Sequence, residues 1–317
     1  MRILLQFPEG LKQEAFKYAD DLQREGHTVF LSASPSYGAC DLAIDEAHYI
    51  KADKIIHFGH NKYGNINVKD IEVEYVPFYI NINIDFKQIV NEFKLKQYNQ
   101  IAFGTTIQYI HLLDKITFYF KSHGINLLIK KGKIANEPGQ LLGCDAEAVN
   151  QEEADAILVL ADGLFHVLGL KPTSKPVYLL NPFNKQFRLV NEDIVKLEKK
   201  RKASLVRAAY ANIFGILVST KIGQFRLHIA NNIKHHLEEL GKRAYILISN
   251  EFNPMSIQNF RHLDALINTA CPRIVDDVEA FKLPIVNIED INKLYDLIAP
   301  PGFEPGSLDP KSNILDH

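Results

Sequence analysis

Arg2-Ile3-Leu4-Leu5-Gln6-Phe7-Pro8-Glu9-Gly10 opens the chain as a short apolar run that ends in a turn, and a helical pattern follows over 11–25. The same order of strand, tight turn and helix begins again at Gln100 and at Ile213. Each helical pattern ends near a glycine, the residue that best fits the left-handed position after a helix. These glycines are Gly26, Gly124 and Gly241. A second apolar run follows each one, so the sequence predicts a unit that occurs three times.

The apolar runs lack the alternation of a half-exposed strand. Segments 52–59 and 154–161 are nearly matching examples, and amphipathic helical patterns separate such runs. Continuous apolar strands that alternate with helices indicate parallel sheets covered on both faces. We therefore predict an α/β fold of three related small domains, each a mainly parallel sheet flanked by helices, arranged around a central site. The predicted limits are 1–95, 96–190 and 212–317, with a basic connecting helix at 191–211 and a Pro-rich C-terminal segment in the third domain.

Composition limits the classes of function. Of the 317 residues, 36 are Lys or Arg and 38 are Asp or Glu, which gives a net charge of −2 at pH 7. No global positive charge favours nucleic acid as a partner. The apolar runs are far shorter than a membrane span, and the opening run is too short for a signal peptide. We therefore expect a cytoplasmic protein with no membrane or direct nucleic-acid partner.

Three cysteines, one in each predicted domain, are the candidate metal ligands. Cys40, Cys144 and Cys271 each follow Gly or Ala and precede Asp or Pro, and we expect them at comparable places in the three repeats. An odd and sparse count argues against a secreted disulfide scaffold. Loops at the carboxyl ends of three parallel sheets around a pseudo-threefold axis would meet at one centre. Three thiolates are too few for a closed structural zinc site but suit a 4Fe-4S cluster with one iron not bound by protein. Zinc with a water molecule, or three buried thiols, are the alternatives.

Polar side chains in the turns after first strands could hold a small molecule. The candidates are Thr105, Gln108, Thr220, Lys221 and Gln224, with Arg273 after the third cysteine. Backbone N–H groups at a helix N-terminus favour a carboxylate, and Lys or Arg adds positive charge. Turn and capping roles, or an ion pair of Arg273 with a nearby aspartate, are the alternatives. His57 and His60 are interpreted as strand-end turn residues rather than metal ligands.

Five segments in combination carry a family resemblance. They are 6–11, 38–41, 139–145, 220–224 and 270–273. In these segments the chain resembles the archaeal diphthamide-synthesis enzymes, the 2-(3-amino-3-carboxypropyl)histidine synthase family. The resemblance extends from residue 3 to about residue 298.

The resemblance implies a fold and a chemistry together. It implies a homodimer of three-domain protomers, each with a 4Fe-4S cluster on one cysteine per domain, here Cys40, Cys144 and Cys271. S-adenosylmethionine would be the substrate of a non-standard radical reaction. The 3-amino-3-carboxypropyl group would move to C2 of a histidine in elongation factor 2, the first step of diphthamide formation. An unidentified electron donor is also implied, and no catalytic residue beyond the cluster ligands.

Two other functions stay open at this point. A quinolinate synthase-like 4Fe-4S dehydratase would also have three related α/β domains with one cysteine each. In that enzyme the second cysteine follows His-Pro-Glu, whereas Cys144 follows Leu141-Leu142-Gly143. A non-enzymatic small-molecule-binding protein with buried thiols is the other possibility. Colour separates this last class from the first two, because protein with a bound cluster is brown when purified without oxygen.

Overall fold

The computed structural model describes residues 1–64, 66–84, 86, 89–90 and 94–300, so nearly all of the Pro-rich C-terminal segment lies outside the described residues. The chain forms two units, Met1–Ile194 and Val195–His317. Two β-sheets belong to the first unit and one belongs to the second. The predicted limits of three domains therefore stay a prediction.

One strand order is common to all three sheets. The sheets are β2-β1-β3-β4, β6-β5-β7-β8-β9 and β11-β10-β12-β13, where the strands are β1 Arg2–Gln6, β2 Thr28–Leu31, β3 Lys54–Phe58, β4 Glu72–Val76, β5 Gln100–Thr105, β6 Asn126–Leu128, β7 Ala156–Leu160, β8 Val177–Leu180, β9 Phe187–Leu189, β10 Ile213–Ser219, β11 Arg243–Ser249, β12 Ala265–Asn268 and β13 Ile285–Asn287. In each sheet the first strand lies between the second and the third, and these strands run parallel. Only β9, at the edge of the second sheet, is antiparallel to its neighbour among the paired strands described. The predicted α/β fold of three related parallel sheets is confirmed.

Helices lie in most of the connections between parallel strands, as is usual for such crossovers. The α-helices are α1 Ala15–Arg24, α2 Ile44–Tyr49, α3 Leu113–Ser122, α4 Leu164–Val167, α5 Asn191–Ala208, α6 Leu227–Glu239, α7 Pro254–Ile257, α8 Val278–Phe281 and α9 Ile291–Ile298. The first predicted helix is divided, because residues Glu9–Glu14 form a 3-10 helix before α1 begins. Gly26, Gly124 and Gly241 have φ values of +89°, +79° and +73°, which confirms their predicted position after α1, α3 and α6.

Each sheet has an apolar core on both faces. In β1, for example, Leu5 packs in one cluster with Phe58, and the neighbouring Leu4 packs in another with Ile55. The other two sheets are covered in the same way. Burial on both faces is the reason why the strands read as continuous apolar runs. Within the described ranges, no helix has the length and apolar content needed to cross a bilayer.

The predicted basic helix is α5, and some of its charge is used within the second unit. Lys200 pairs with Glu279 at 2.7 Å, and Arg201 pairs with Asp276 at 2.7 Å. The hydroxyl of Ser204 donates to the carbonyl of Ile285 at 2.8 Å and accepts from its N–H at 2.7 Å. These contacts fix α5 against the start of β13.

One strand buries an ionisable side chain. His57 lies in β3 and is 0% exposed. Burial lowers the pKa of His57 from its ordinary value of 6.5 to about 3, and that of His60 to about 4. Both imidazoles are therefore neutral in the folded protein near pH 7.

Acid should destabilise the protein through this pair. Between pH 7 and pH 5 the unfolded histidines bind protons and the folded ones do not, so the free energy of unfolding falls by up to about 1.4 kcal/mol per pH unit for each histidine. Denaturant titrations at pH 7 and pH 5 should show a smaller loss of stability for His57→Gln than for the parent. His235→Gln, at an exposed position of α6, is the control and should keep the parent's loss. Equal losses in all three proteins would contradict the assignment.

Candidate metal and substrate site

Each cysteine lies in a loop at the carboxyl edge of its own sheet, and the last residue of a central strand holds that loop. In the first sheet this residue is Gln6, at the end of β1 and 1% exposed. Its Nε2 donates to the carbonyl of Asp41 at 2.7 Å, and its Oε1 accepts the N–H of Ala43 at 3.1 Å. The two bonds enclose the segment directly after Cys40, so one buried amide fixes the backbone there.

The same amide determines the tautomers of the two histidines. Because Oε1 of Gln6 can only accept, Nδ1 of His57, at 2.9 Å, must be its donor. Nε2 of His57 then accepts, and Nδ1 of His60 donates to it at 2.9 Å. The expectation of strand-end turn histidines is correct for His60 and wrong for His57, which lies within β3. Both belong to a hydrogen-bonded row that supports the Cys40 loop.

The Cys144 loop is held by Thr105, the last residue of β5. The N–H of Thr105 donates to the carbonyl of Gly139 at 2.8 Å, and its carbonyl accepts from Leu141 at 2.7 Å. Leu142 and Asp145 exchange backbone hydrogen bonds at 2.9 and 3.1 Å, which closes a tight turn around Cys144. The turn is thus an extension of the sheet.

The residues on either side of Cys144, Gly143 and Asp145, also shape this turn. Asp145 accepts N–H groups from Ile134 at 2.6 Å, from Ala135 at 3.1 Å and from Glu147 at 3.1 Å. Gly143 leaves room for the half-exposed ring of Phe165, whose Cζ lies 2.6 Å from where an added Cβ would be, so a larger residue would displace this ring. The Gly-Cys-Asp sequence therefore has a local structural reason on both sides of the thiol.

Loops from the first and second sheets are joined beside Cys144. Asn61 and Gln140 exchange side-chain hydrogen bonds at 2.9 and 2.7 Å. The side chain of Asn136 donates to the carbonyl of Lys62. Gln108 donates to the carbonyl of Gly59 at 3.2 Å. Both sheets belong to the first unit, and these bonds connect their carboxyl edges.

In the second unit, Asn268 ends β12 and holds the third cysteine loop. Its Nδ2 donates to the carbonyl of Cys271 at 2.7 Å, and its Oδ1 accepts the N–H of Ala270 at 3.0 Å. Nη1 of Arg226 donates to the carbonyls of Thr269 at 2.7 Å and Ala270 at 3.0 Å. The strand end and a buried guanidinium therefore fix the backbone from Thr269 to Cys271.

The position of Cys271 corrects one sequence-based expectation. Cys40 and Cys144 lie between the second and third strands of their sheets, whereas Cys271 follows the third strand, β12. The cysteines were expected at comparable places in the three repeats, and this is wrong for the third. The cause is that α7 and β12 precede Cys271 in the chain.

The charged side chains that act on Cys271 are two arginines and one aspartate. Burial raises the pKa of its thiol, and the backbone N–H of Arg273 together with the charges of Arg273 and Arg226 opposes this rise. Lys221 is 6% exposed and lies 3.4 Å from Glu251. Arg273 is buried and pairs with Asp276 at 2.6 Å. The surroundings of this thiol favour an anion.

One of these cations has an unused donor. Nε of Arg226 is buried and has no hydrogen-bond partner within the described part of the chain. Buried donors in native proteins are almost always paired, so an unpaired one is a reason to look for a ligand. Sequence reasoning singled out Gln224 and missed Arg226 two positions later. An arginine after a turn has no pattern that marks it as buried.

The remaining candidates are distributed over the two units. Thr105 uses its hydroxyl on the carbonyl of Leu160 at 2.8 Å, and Gln108 uses its amide on Gly59. Thr220 is exposed, whereas Gln224 is buried and its N–H donates to the carbonyl of Lys221 at 2.8 Å. Binding of a small molecule by any of the six candidates stays a prediction.

The three-cysteine ligand set also stays a prediction. Cys40 and Cys144 belong to the first unit and Cys271 to the second. No group of three or more His, Cys, Asp and Glu side chains in the described ranges is close enough to hold a metal ion. None of the three cysteines forms a disulfide.

The amino-acid sequence matches one protein family over most of its length. The profile of the diphthamide synthesis protein family matches residues 7–296. The 2-(3-amino-3-carboxypropyl)histidine synthase of Pyrococcus horikoshii is 33% identical over 301 residues, which is 93% of this chain and 86% of that protein. Subunit 1 of the Saccharomyces cerevisiae enzyme of the same name is 27% identical over 90% of this chain and 68% of its own length.

A solved structure agrees with the sequence matches. The crystal structure of Dph2 from Pyrococcus horikoshii with a 4Fe-4S cluster superposes with a TM-score of 0.83 and 31% identity, covering 96% of this chain and 88% of that one. The family profile extends over nearly all of the described residues and includes all three cysteines. The chain therefore belongs to the diphthamide synthesis protein family.

Proposed function

We propose that this protein catalyses the first step of diphthamide biosynthesis. It transfers the 3-amino-3-carboxypropyl group of S-adenosylmethionine to C2 of a histidine in elongation factor 2. The observation that carries the proposal is that each of three sheets with one strand order presents one cysteine at its carboxyl edge, in a chain that matches the synthases over most of its length. Membership in this family favours the transferase over a quinolinate synthase and over a binding protein.

The donor set of this chain fits a 4Fe-4S cluster. Cys144 is exposed and the other two thiols are partly exposed, so none is shut in an apolar core. Each thiol lies in a loop whose backbone is already fixed by a buried amide, a strand end or a guanidinium, which limits the ordering that metal binding requires. Three ligands leave one iron for the substrate. Cys40, Cys144 and Cys271 would hold the cluster, which would supply one electron for cleavage of the bond between sulfur and the γ-carbon of S-adenosylmethionine; methylthioadenosine would be the leaving group.

Side chains of the second unit are suited to the methionine end of the substrate. A carboxylate next to Cys271 would meet the positive charges of Arg226 and Arg273, and Lys221 follows the end of β10 in the same sheet. The unpaired Nε of Arg226 would become a charge-assisted donor to it. Gln224 offers a side-chain amide on the same turn as Lys221. Because the bond that breaks depends on how the substrate is oriented, fixing its carboxylate and amine is the main contribution of these residues.

The proposal includes partners that the family resemblance implies. Elongation factor 2 is the protein substrate, and an external electron donor must reduce the cluster. The homodimer is also part of the proposal. Sedimentation of the anaerobically purified protein tests it, and a monomer at micromolar concentration would contradict it.

An anaerobic assay tests the reaction itself. Reduced protein, S-adenosylmethionine labelled in its carboxypropyl part, and archaeal elongation factor 2 should yield labelled factor and methylthioadenosine. If deoxyadenosine is the main nucleoside product instead, the proposed bond cleavage is wrong.

Each cysteine should be indispensable for the cluster. Cys40→Ala, Cys144→Ala and Cys271→Ala should each fold but lose iron and transfer no label, because the chain has no fourth cysteine to substitute. Iron content, visible absorbance and label transfer are measured after anaerobic reconstitution. Ser36→Ala, a buried change four residues before Cys40, is the control and should keep both iron and activity. A cysteine variant with full iron and activity removes that residue from the site.

Lys221 should affect the substrate and leave the cluster unchanged. Removing its charge with Lys221→Gln should weaken S-adenosylmethionine binding by roughly tenfold to a hundredfold, because a hydrogen bond to a charged group contributes about 1.5–3 kcal/mol. Affinity is measured by equilibrium dialysis, and the cluster spectrum should stay that of the parent. Lys234→Gln makes the same change on the exposed side of α6 and should bind like the parent. If both variants bind S-adenosylmethionine with equal affinity, Lys221 does not contact the substrate and is only a turn residue.

A further inference from the structure

Tyr63 lies in a loop that is built to hold it beside a cysteine of the neighbouring sheet. The residue follows β3 of the first sheet and is only 6% exposed. Its hydroxyl is 3.7 Å from Sγ of Cys144, which belongs to the second sheet of the same unit. A tyrosine that reaches across from another sheet to a thiol needs a supporting framework, and the structure provides it on both sides.

On the tyrosine side, the loop is bound to the second sheet by the two preceding residues. Asn61 exchanges two hydrogen bonds with Gln140, which is 1% exposed, and the carbonyl of Lys62 accepts from Asn136. These bonds leave the backbone before Tyr63 little freedom to move away from Cys144.

On the cysteine side, the turn is equally constrained. The backbone bonds between Leu142 and Asp145 and the three N–H groups bound by the Asp145 carboxylate fix the turn that carries the thiol. The contact between the hydroxyl and the sulfur therefore joins two fixed backbones and does not depend on a mobile side chain.

Metal binding by the sulfur would decide which atom of this contact is the hydrogen-bond donor. In a thiol, either atom can be the donor. A metal-bound thiolate has no proton, so only the Tyr63 hydroxyl can donate. Hydrogen bonds to the cysteine sulfurs of a cluster are one of the means by which proteins set its reduction potential, because they stabilise the more negative, reduced state.

We propose that Tyr63 donates a hydrogen bond to the sulfur of Cys144 and thereby raises the reduction potential of the cluster. It is a positioning and tuning residue, and it does not touch the reacting atoms. This inference rests on the proposed function, because it requires that Cys144 is a cluster ligand.

The test is the Tyr63→Phe variant, which removes the hydroxyl and keeps the ring. After anaerobic reconstitution, iron content should equal that of the parent. At a fixed potential the ratio of reduced to oxidised cluster should fall about fivefold to tenfold, as expected for the loss of one hydrogen bond. A tenfold change corresponds to about 59 mV for a one-electron couple. Redox titration followed by electron paramagnetic resonance measures the ratio.

A spectroscopic readout identifies the hydrogen bond itself. In heavy water, electron–nuclear double resonance of the reduced parent should show an exchangeable deuteron coupled to the cluster, and Tyr63→Phe should lose this signal. Tyr98→Phe is the matched control, since its hydroxyl pairs with that of Tyr178 at 3.0 Å at the amino end of β5. This control should keep the parent's potential and deuteron signal.

The outcomes separate the two proposals. A parent protein that assembles no cluster overturns the proposed function and this inference with it. A parent with a cluster whose potential and deuteron signal are unchanged in Tyr63→Phe overturns the inference alone. If Tyr63→Phe does not fold, Asn61→Ala and Gln140→Ala loosen the same loop and should lower the potential in the same direction. An unchanged potential in those two variants also overturns the inference.

Discussion

The whole site depends on side chains and backbone groups at the carboxyl ends of central parallel strands. A strand that ends at the edge of a sheet leaves polar backbone groups that need partners. Gln6, Thr105 and Asn268 are the last residues of β1, β5 and β12, and each binds the loop that carries a cysteine. The side-chain amides of Gln6 and Asn268 and the backbone of Thr105 thus have the same effect, which is to continue the rigidity of a sheet into an irregular loop.

The surroundings of the cysteines differ in charge between the two units. Near Cys40 the buried row of Gln6, His57 and His60 is neutral, since burial keeps the pKa values of both imidazoles far below 7. Around Cys271 there are buried guanidinium groups. A fixed loop is present in both cases, but only the guanidinium groups also attract a carboxylate. This difference in charge is the reason why our proposal assigns the methionine end of the substrate to the second unit.

Much of the fold could be predicted from the sequence, because its signals are repeated and local. Continuous apolar runs of five to seven residues and the glycines with positive φ mark β1, β5 and β10 and the helices that follow them. Short elements gave no such signal. The four-residue strand β12 and the four-residue helix α7 are too short for periodicity, so the true place of Cys271 was missed. Tyr63 and Arg226 were missed for another reason. Each is buried against a partner far along the chain, and the residues next to it in sequence do not indicate such a contact.

The shifted position of Cys271 has a consequence for how the shared strand order is used. All three sheets have the same strand order. Cys40 and Cys144 lie in the loop after the second strand of their sheets, whereas Cys271 lies in the loop after the third strand. Both kinds of loop leave the sheet at its carboxyl edge. A thiol can therefore be presented at that edge from either of two neighbouring loops, and an equivalent place in the repeat is not needed.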